Sequence, residues 1–523
     1  MEMKKFLIII GLALGANSFY AQTVEDVELF NPRGLHGTPR FVGMGGAFTA
    51  LGNDLSAIRI NPAGIGVFKF SQFNTSLGVA NQDYQLGPFY GTERAAAESN
   101  FMLDNLGFVS KFDLEGKGFG FAINFSRVND FDREFSILGT DPNNYTLGEF
   151  WGESTANVLV ANLERDLPTA LAAYDAYLLV DSVLPSGDAI IRDSLDSYAY
   201  GVLAGNQVIS SSLVDYVFTQ SGSQSETNIS FGGDIGSKLY YGLGIGIPTL
   251  SFRREEFITE NLNEQGDPPY NATQYTYRRL NDIYATGFNF KLGLIYRPLP
   301  TVRLGVSYES PSWYTVNQVF EYDITARFNA PPLQGVSRNT ASPIFSTGEY
   351  SYRLRTPGIW RFGLSAVLAK KFIASVDYHL TQPVNNHLYT NRNSYNISES
   401  LLNTSYQPAI DDLFSNVQNT VAAGLEYRFK NFFIRGGYRY VSSPYQDDLR
   451  SVTLSEITHI SGGLGAFFGP IGLDFTFVSS NFDRNYVVYT DQDYKTGQSV
   501  QVLEDLQTEQ NFLNFNFGFT YKW

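Results

Sequence analysis

With 523 residues the chain has material for several soluble domains, yet its 33 Tyr, 42 Phe and 48 Gly are spread without a long apolar run beyond the first two dozen residues, which excludes helical membrane spans. A formal net charge of −15 argues against nucleic acid or any other polyanion as a partner. The absence of cysteine excludes disulfides, a lipid-modified cysteine and thiolate metal sites.

Residues 1–21 read as a secretory signal peptide. Lys4 and Lys5 form the basic start, Phe6 to Gly15 the apolar core, and Asn17 to Ala21 a polar exit with cleavage expected after Ala21. The apolar core is well short of the roughly 20 residues that a spanning helix needs. Loss of two lysines and one glutamate takes the charge from −15 to −16 in the mature chain.

Residues 22–70 form neither a strand pattern nor a good helix. Gly43, Met44, Gly45, Gly46 and Ala47 run into Asp54, Ser56 and Ala57, and the segment finishes on Asn61, Pro62, Ala63 and Gly64. A phosphate-binding loop is excluded, because no strand pattern precedes the glycines and no Lys-Ser or Lys-Thr pair follows at the required distance. Glycine and alanine allow backbones to approach closely, and Asp54, Ser56 and Asn61 carry short polar groups that satisfy backbone donors away from water. Pro62 disfavours a helical Asn61, so a turn is expected there.

From residue 71 onward many segments of about ten residues alternate apolar with small or polar side chains, the period of a strand. Phe119, Phe121, Ile123 and Phe125 alternate with Gly118, Gly120, Ala122 and Asn124; Val302, Leu304, Val306 and Tyr308 with Arg303, Gly305, Ser307 and Glu309; Trp360, Phe362 and Leu364 with Arg361, Gly363 and Ser365. The last segment, Leu513 to Trp523, alternates in the same way and ends on an aromatic residue, which resembles the closing strand that bacterial barrel-assembly machinery recognises. Six short turns are expected at 115–117, 236–238, 298–301, 370–371, 430–431 and 469–470. With an opening strand at 71–81 and a closing strand at 513–523 they give fourteen strands. Long outer loops are placed at 82–104, 130–226, 254–283, 311–348, 382–416, 443–457 and 481–511. The fold class expected is therefore an all-β transmembrane antiparallel barrel over 71–523. In its long third-strand loop, Leu159, Leu163, Leu167, Leu171, Tyr174 and Leu178 predict an amphipathic helix over 149–183 broken near Pro168, serving as a lid or as an apolar capture groove.

Alternation turns Arg303, Glu309, Arg361, Asp377, His379, Glu426, Arg428, Arg435, Arg439 and Asp474 toward the lumen. Opposite charges there satisfy one another, while an inward arginine beside an apolar cavity suits a carboxylate. Among these, Arg303, Arg361, His379, Arg428, Arg435 and Arg439 are the ligand-binding candidates. Only four histidines occur, His36, His379, His387 and His459, without a nucleophile motif or metal-ligand spacing, so no enzyme, metal or cofactor is expected.

The run of Arg40, Gly43, Met44, Gly45, Gly46, Ala47, Thr49 and Ala50, then Asp54, Ser56, Ala57 and Asn61 to Gly64, closely resembles the N-terminal hatch of the FadL/TodX family of outer-membrane channels for hydrophobic compounds. The resemblance implies a fourteen-stranded barrel in the outer membrane of a Gram-negative bacterium, plugged by a hatch whose shifts pass cargo sideways into the membrane. Gly43, Gly45, Gly46, Asp54, Ser56, Asn61, Pro62, Ala63 and Gly64 are its hatch residues here. Expected partners are hydrophobic small molecules such as fatty acids, outer-membrane lipid, and the assembly machinery acting on the strand that ends at Trp523; a monomer is expected. Two alternatives stay open: a barrel that docks components of a protein-secretion machine, and a haemin receptor using His36 or His387.

Overall fold

The computed structural model describes residues 24–31, 34–114, 117–141, 146–155, 158–166, 168–179, 181–183, 189–191, 212–262, 272–328, 340–341, 346–369, 371–391, 399, 402–446, 454–492, 499–501 and 503–523. The leader expected at 1–21 lies outside the described residues.

Fourteen antiparallel strands close into a barrel. They are β1 (Gln72–Phe89), β2 (Thr92–Leu114), β3 (Lys117–Asp130, resuming at Arg133–Asp141), β4 (Ser212–Ile235), β5 (Leu239–Leu262), β6 (Ala272–Leu299) and β7 (Val302–Glu309, resuming at Trp313–Phe328). The second half comprises β8 (Ser346–Arg355, resuming at Ile359–Leu368), β9 (Phe372–Thr381), β10 (Gln418–Phe429), β11 (Phe432–Val441), β12 (Ile457–Phe468), β13 (Ile471–Tyr486) and β14 (Leu506–Lys522). Closure comes from β14 pairing with β1, from Gln72 opposite Lys522 to Leu86 opposite Thr508. Closing the sheet leaves no strand as a free edge along its whole length, which the hydrocarbon would not tolerate.

Period two explains how one sequence serves two solvents. On β6, Phe288, Phe290, Leu292, Leu294 and Tyr296 are exposed on the outer face, whereas Asn289 and Lys291 between them are buried on the inner face. The same apolar belt continues through Leu304 on β7, Phe362 and Leu364 on β8, and Leu425 and Tyr427 on β10. Among the described residues no helix is long and apolar enough to cross a membrane.

All six expected inner turns join consecutive strands, although 115–116 and 370 themselves lie outside the described residues. Gly236, Ser237, Lys430 and Gly469 take left-handed φ of 60°, 54°, 54° and 62°, the backbone that tight hairpins require. The outer connections at 382–416 and 443–457 fall where the sequence pattern placed them, and the other five are shorter than it implied. The loop expected at 82–104 is the continuation of β1 and β2 to a turn at Tyr90 and Gly91, with Gln82 opposite Glu98. Likewise β5 and β6 extend to Leu262 and Ala272, the upper part of β7 reaches Phe328, and β13 and β14 extend to Tyr486 and Leu506. Above the lipid belt the outer face is polar and the inner face apolar, so the pattern that marks a membrane strand inverts while the ladder continues. The third-strand loop is narrower for the same reason, since the upper part of β3 pairs with β4 from Arg133 opposite Gln220 to Asp141 opposite Ser212.

Inside the barrel, residues 34–70 carry three short helices, α1 (Pro39–Gly43), α2 (Leu55–Ile60) and α3 (Gly64–Val67). In place of one broken helix, the third-strand connection has α4 (Leu147–Thr155), α5 (Val160–Asp166) and α6 (Pro168–Asp175). Pro168 opens α6 at its first position, where its missing N–H costs nothing. The face of α6 that packs inward is built on Ala170 and Ala173 with Ala172 and Ala176 beside them, while Leu171 and Tyr174 are half-buried; small residues bring the helix close to the wall. Leu163 and Leu178 are buried as expected, and Leu167 has no described side chain.

Leu364→Arg places a charge on the lipid face of β8 and is expected to lower folding stability in bilayers by about 2–4 kcal/mol. A urea titration of heat-modifiable folding checks it; wild-type stability in the variant would contradict the assigned outer face.

Candidate functional site

Residues 34–70 lie against the inner wall, held by caps among themselves and by wall groups. The Thr38 side chain accepts from Phe41 N at the start of α1, its hydroxyl donates to Asp54 Oδ1 at 2.8 Å, and Thr38 N donates to Ser56 Oγ at 2.7 Å. Asp54 in turn caps α2, accepting from Ser56 N at 2.9 Å. Burial pushes the Asp54 carboxyl up, opposed by the Arg40 charge and the Thr38 hydrogen bond. Asn61 is extended, with φ −147° and ψ 101°, as the following Pro62 demands. Its Nδ2 donates to Thr49 O at 2.6 Å and its Oδ1 accepts from Ala63 N at 3.0 Å, which makes the turn into α3.

The wall approaches this segment through glycines. A Cβ at Gly242 on β5 would stand 2.2 Å from the Pro62 carbonyl carbon, one at Gly293 on β6 1.9 Å from Asn61 Oδ1, and one at Gly305 on β7 2.3 Å from Thr49 O. On β11, a Cβ at Gly437 would stand 2.1 Å from Gly45 N. Gly45 and Gly46 themselves take left-handed φ of 64° and 76° to follow the wall. Gly52 and Gly64 pack Cα against Cα within the segment, where a Cβ on Gly52 would meet Gly64 Cα at 2.9 Å. Gly43 faces Thr476, whose hydroxyl donates to Pro39 O at 2.7 Å. Sequence alternation had marked Gly305 and Gly363 as inward and small, but not as the seat of another segment.

Three of the expected lumen charges, Arg303, Asp377 and Glu426, bond directly to this segment, and others support them. Arg40 grips Glu426 through Nε at 2.9 Å and Nη2 at 3.2 Å, and Arg435 Nε reaches the same carboxylate at 2.8 Å while its other arm meets Asp474. Arg303 Nη1 donates to Leu51 O at 2.5 Å, Ser307 Oγ to Ile60 O at 2.7 Å, and Lys291 Nζ to Arg59 O at 3.0 Å. Asp377 accepts from Thr49 N at 2.7 Å. Arg361 pairs with Glu309 at 2.8 Å, and His379 and Arg439 are buried beside them. Arg428 departs from expectation: it has the inward parity but sits at the exposed rim, with Nε on Lys430 O at 2.9 Å. It lies one residue from its turn, where the lumen opens to water. His36 turns inward onto Asp104 at 3.0 Å, and His387 packs edge-on against Tyr389. Among the described residues no group of three or more His, Asp or Glu is placed to hold a metal ion.

Above this polar layer stand two apolar ones. In the outer half of the lumen, Val27 and Phe30 from the 3₁₀ turn Val24–Phe30 pack with Phe252, Tyr314, Tyr445 and Phe482. That turn is tied across the barrel, since Asp26 accepts from Gln318 Nε2 at 3.0 Å and Glu28 from the Tyr445 hydroxyl at 2.5 Å. At the mouth, Phe150, Trp151 and Leu163 from α4 and α5 join Tyr216, Tyr275 and Tyr489 in a second cluster. Trp151 is fully enclosed there, and its indole N–H donates to the Tyr489 hydroxyl at 3.2 Å.

A cavity of about 100 Å³ lies beside the polar layer. Leu35, Ala80, Phe131, Phe482 and Phe512 line it together with polar groups that include Gln82, Arg133 and His459. It borders an interruption in the wall. β2 and β3 pair only from Asn105 opposite Ser126 down to Leu114 opposite Lys117; above that level β2 pairs with β1 alone and β3 with β4 alone. Just above that level the ladder between β3 and β4 carries a bulge between Arg127 and Asn129. On the outside, at this height, Phe101 is the most exposed large apolar side chain of the described residues, at 71 %.

A closed barrel with a lipid-facing apolar belt, short inner turns and a segment seated in its lumen is an outer-membrane type of β-barrel. The same fold occurs in a FadL homologue of Pseudomonas aeruginosa, which is 12% identical with a TM-score of 0.54 over 94% of this chain and 99% of that one. It occurs also in the deltaS2 mutant of the TodX monoaromatic hydrocarbon channel, 12% identical with a TM-score of 0.51 over 94% and 100%. No protein-family model and no curated protein matches the sequence. At such identities the likeness is one of fold.

Gly242→Ala puts a methyl group into the Pro62 backbone, which has no free end to move aside. The expected outcome is a barrel that still folds, with amide-exchange protection lost across residues 37–66. Unchanged protection in the variant would mean that the wall does not seat the segment.

Proposed function

We propose that this protein is an outer-membrane channel for the uptake of hydrophobic compounds, with residues 22–70 as a hatch that blocks the axial path. The observation that carries this reading is the cavity between the apolar clusters and the unpaired stretch of wall. Cargo enters over the aromatic mouth beneath α4 to α6, where burial of apolar surface is worth about 25 cal/mol per Å². It moves inward along the Val27 and Phe30 layer and reaches the cavity at Phe131 and Phe512. From there the route is lateral, between β2 and β3, where no ladder hydrogen bonds need to break, into the lipid beside Phe101. Hydrophobic small molecules, fatty acids among them, fit a path of this character, and the likeness in fold to a FadL homologue and to a hydrocarbon channel agrees with it. The hatch residues Gly43, Gly45, Gly46, Asp54, Ser56, Asn61, Pro62, Ala63 and Gly64 act as the fixed floor that turns cargo sideways.

Cells carrying the gene are expected to take up labelled long-chain fatty acids faster than cells without it, and mass analysis of an organic extract of the purified barrel should show the hydrophobic ligands it retains. Because the chain has no cysteine, Gln82→Cys on β1 with Asp130→Cys on β3 offers a clean pair spanning the lumen side of the exit, to be bridged by a cleavable thiol-reactive linker. Bridging should bring uptake down to that of cells lacking the gene, and cleavage should restore it; uptake indifferent to the bridge would rule out the lateral exit.

A further inference from the structure

We infer that the junction between α2 and the wall strands β8 to β11 is a binding site for a small anion, a carboxylate or a halide, formed by Arg59, Arg361, His379 and Arg439. Arg361 and His379 are directly opposite each other on β8 and β9, so both side chains project from the same face. One register level away, Asp377 is opposite Ala422 and Ala422 opposite Arg439, which brings Arg439 round from β11 on the same inner face. Arg59 comes from α2 on the seated segment. The four side chains belong to residues only 8 %, 3 %, 7 % and 8 % exposed, for Arg59, Arg361, His379 and Arg439 in turn. Arg59, Arg361 and Arg439 lie within electrostatic reach of one another, and all three reach His379.

The carboxylates nearby each have a partner, although Asp377 Oδ1 has no hydrogen bond among the described residues. Glu309 holds Arg361 at 2.8 Å and Lys291 at 3.6 Å, Glu226 holds Lys291 at 2.7 Å, and Asp377 is bound to Thr49 N while facing Arg439. The cationic side chains Arg59, Lys291, Arg361 and Arg439 therefore outnumber the carboxylates Glu226, Glu309 and Asp377 by one, His379 not being counted. Hydrogen-bond donors are left over in the same place. Arg59 Nε, Arg361 Nε and Nη1 and Arg439 Nε have no hydrogen-bond partner among the described residues, and His379 Nε2 has only a 3.8 Å approach to Asp377 Oδ2. Buried guanidinium groups without an acceptor are costly, and water would satisfy their N–H groups without offsetting the charge. An anion does both, and the planar fork of arginine matches the two oxygens of a carboxylate. The bound anion would link Arg59 on the segment to Arg361 and Arg439 on the wall, fastening the segment where like charges otherwise face each other.

The test is a bromide soak of crystals of the full exported protein, read by anomalous scattering, together with bromide-dependent thermal unfolding in detergent at constant ionic strength. A peak within hydrogen-bond reach of Arg361 and Arg439 is expected. Arg439→Gln should abolish it and weaken the apparent bromide affinity by roughly tenfold or more, as loss of a charged hydrogen bond implies, whereas Arg439→Lys should retain it. Wild-type crystals that bind bromide elsewhere but not here would overturn the assignment, even if Arg439→Gln fails to fold, and so would an undiminished peak in Arg439→Gln. Dodecanoate and dodecanol then separate the sources. Displacement of bromide by dodecanoate alone supports the site as one for a cargo carboxylate, and persistence of bromide supports it as one for a free inorganic anion.

Discussion

A barrel of fourteen strands encloses more space than its own inward side chains fill, and whatever fills the remainder must satisfy its backbone polar groups away from bulk water. Most features of the interior follow from that constraint. Residues 34–70 meet it with three short helices, mutual caps at Thr38 and Asp54, and wall donors that reach the carbonyls of Pro39, Leu51, Arg59 and Ile60. Those bonds form only if the backbones come close, and that closeness explains glycine at 242, 293, 305 and 437. The wall has yielded side-chain volume so that a second chain segment can use the space.

Charge in the lumen has a related logic. Glu426 receives both Arg40 from the segment and Arg435 from the wall, so one carboxylate joins the two parts. Buried ion pairs of this kind contribute little net stability, because desolvation offsets much of the attraction, but breaking one leaves an uncompensated charge. Their effect here is positional: the segment has one low-energy seat. The apolar layers above work differently, since Trp151 and its neighbours gain free energy from area removed from water and have little directional demand. The lumen thus divides into a non-directional apolar half toward the mouth and a directional polar half toward the inner turns.

The barrel was legible in the sequence because period two and short turns are local signals. Leu292 between Lys291 and Gly293 announces its face, and Gly469 followed by Pro470 announces a turn. The resemblance of residues 40–66 to a hatch pointed to a segment within the lumen. Strand length was not legible, because beyond the lipid belt the apolar face switches from the outside to the inside, as where Tyr84 and Leu86 are buried between the outward Asp83 and Gln85, although the ladder runs on. Which arginine meets which acceptor was not legible either. Arg40 and Glu426 are separated by 386 residues, and only closure of the sheet sets their distance. Arg428 shows the limit of parity, which gives the face of a strand but not the height at which the lumen ends.

The two ways out of the barrel differ in what they must break. Moving the segment along the axis severs the double contact of Arg40 with Glu426, the bond of Thr49 N to Asp377, and the donors held by Leu51, Arg59, Ile60 and Pro39. Each buried group left unsatisfied costs about 1–3 kcal/mol, so a concerted axial shift opposes a barrier comparable to the stability of a whole domain. Separating the upper parts of β2 and β3 breaks no ladder bond. What joins them there is side-chain contact: Arg127 Nε approaches Leu103 O at 3.5 Å, Gln82 Nε2 of β1 stands 3.4 Å from Asp130 Oδ2 of β3, and higher up Tyr84 and Phe89 of β1 share one apolar cluster with Phe135 and Ile137 of β3. The fold fastens its floor with directional bonds and leaves one stretch of wall without ladder bonds beside its cavity, so packing rather than hydrogen bonding holds the wall there.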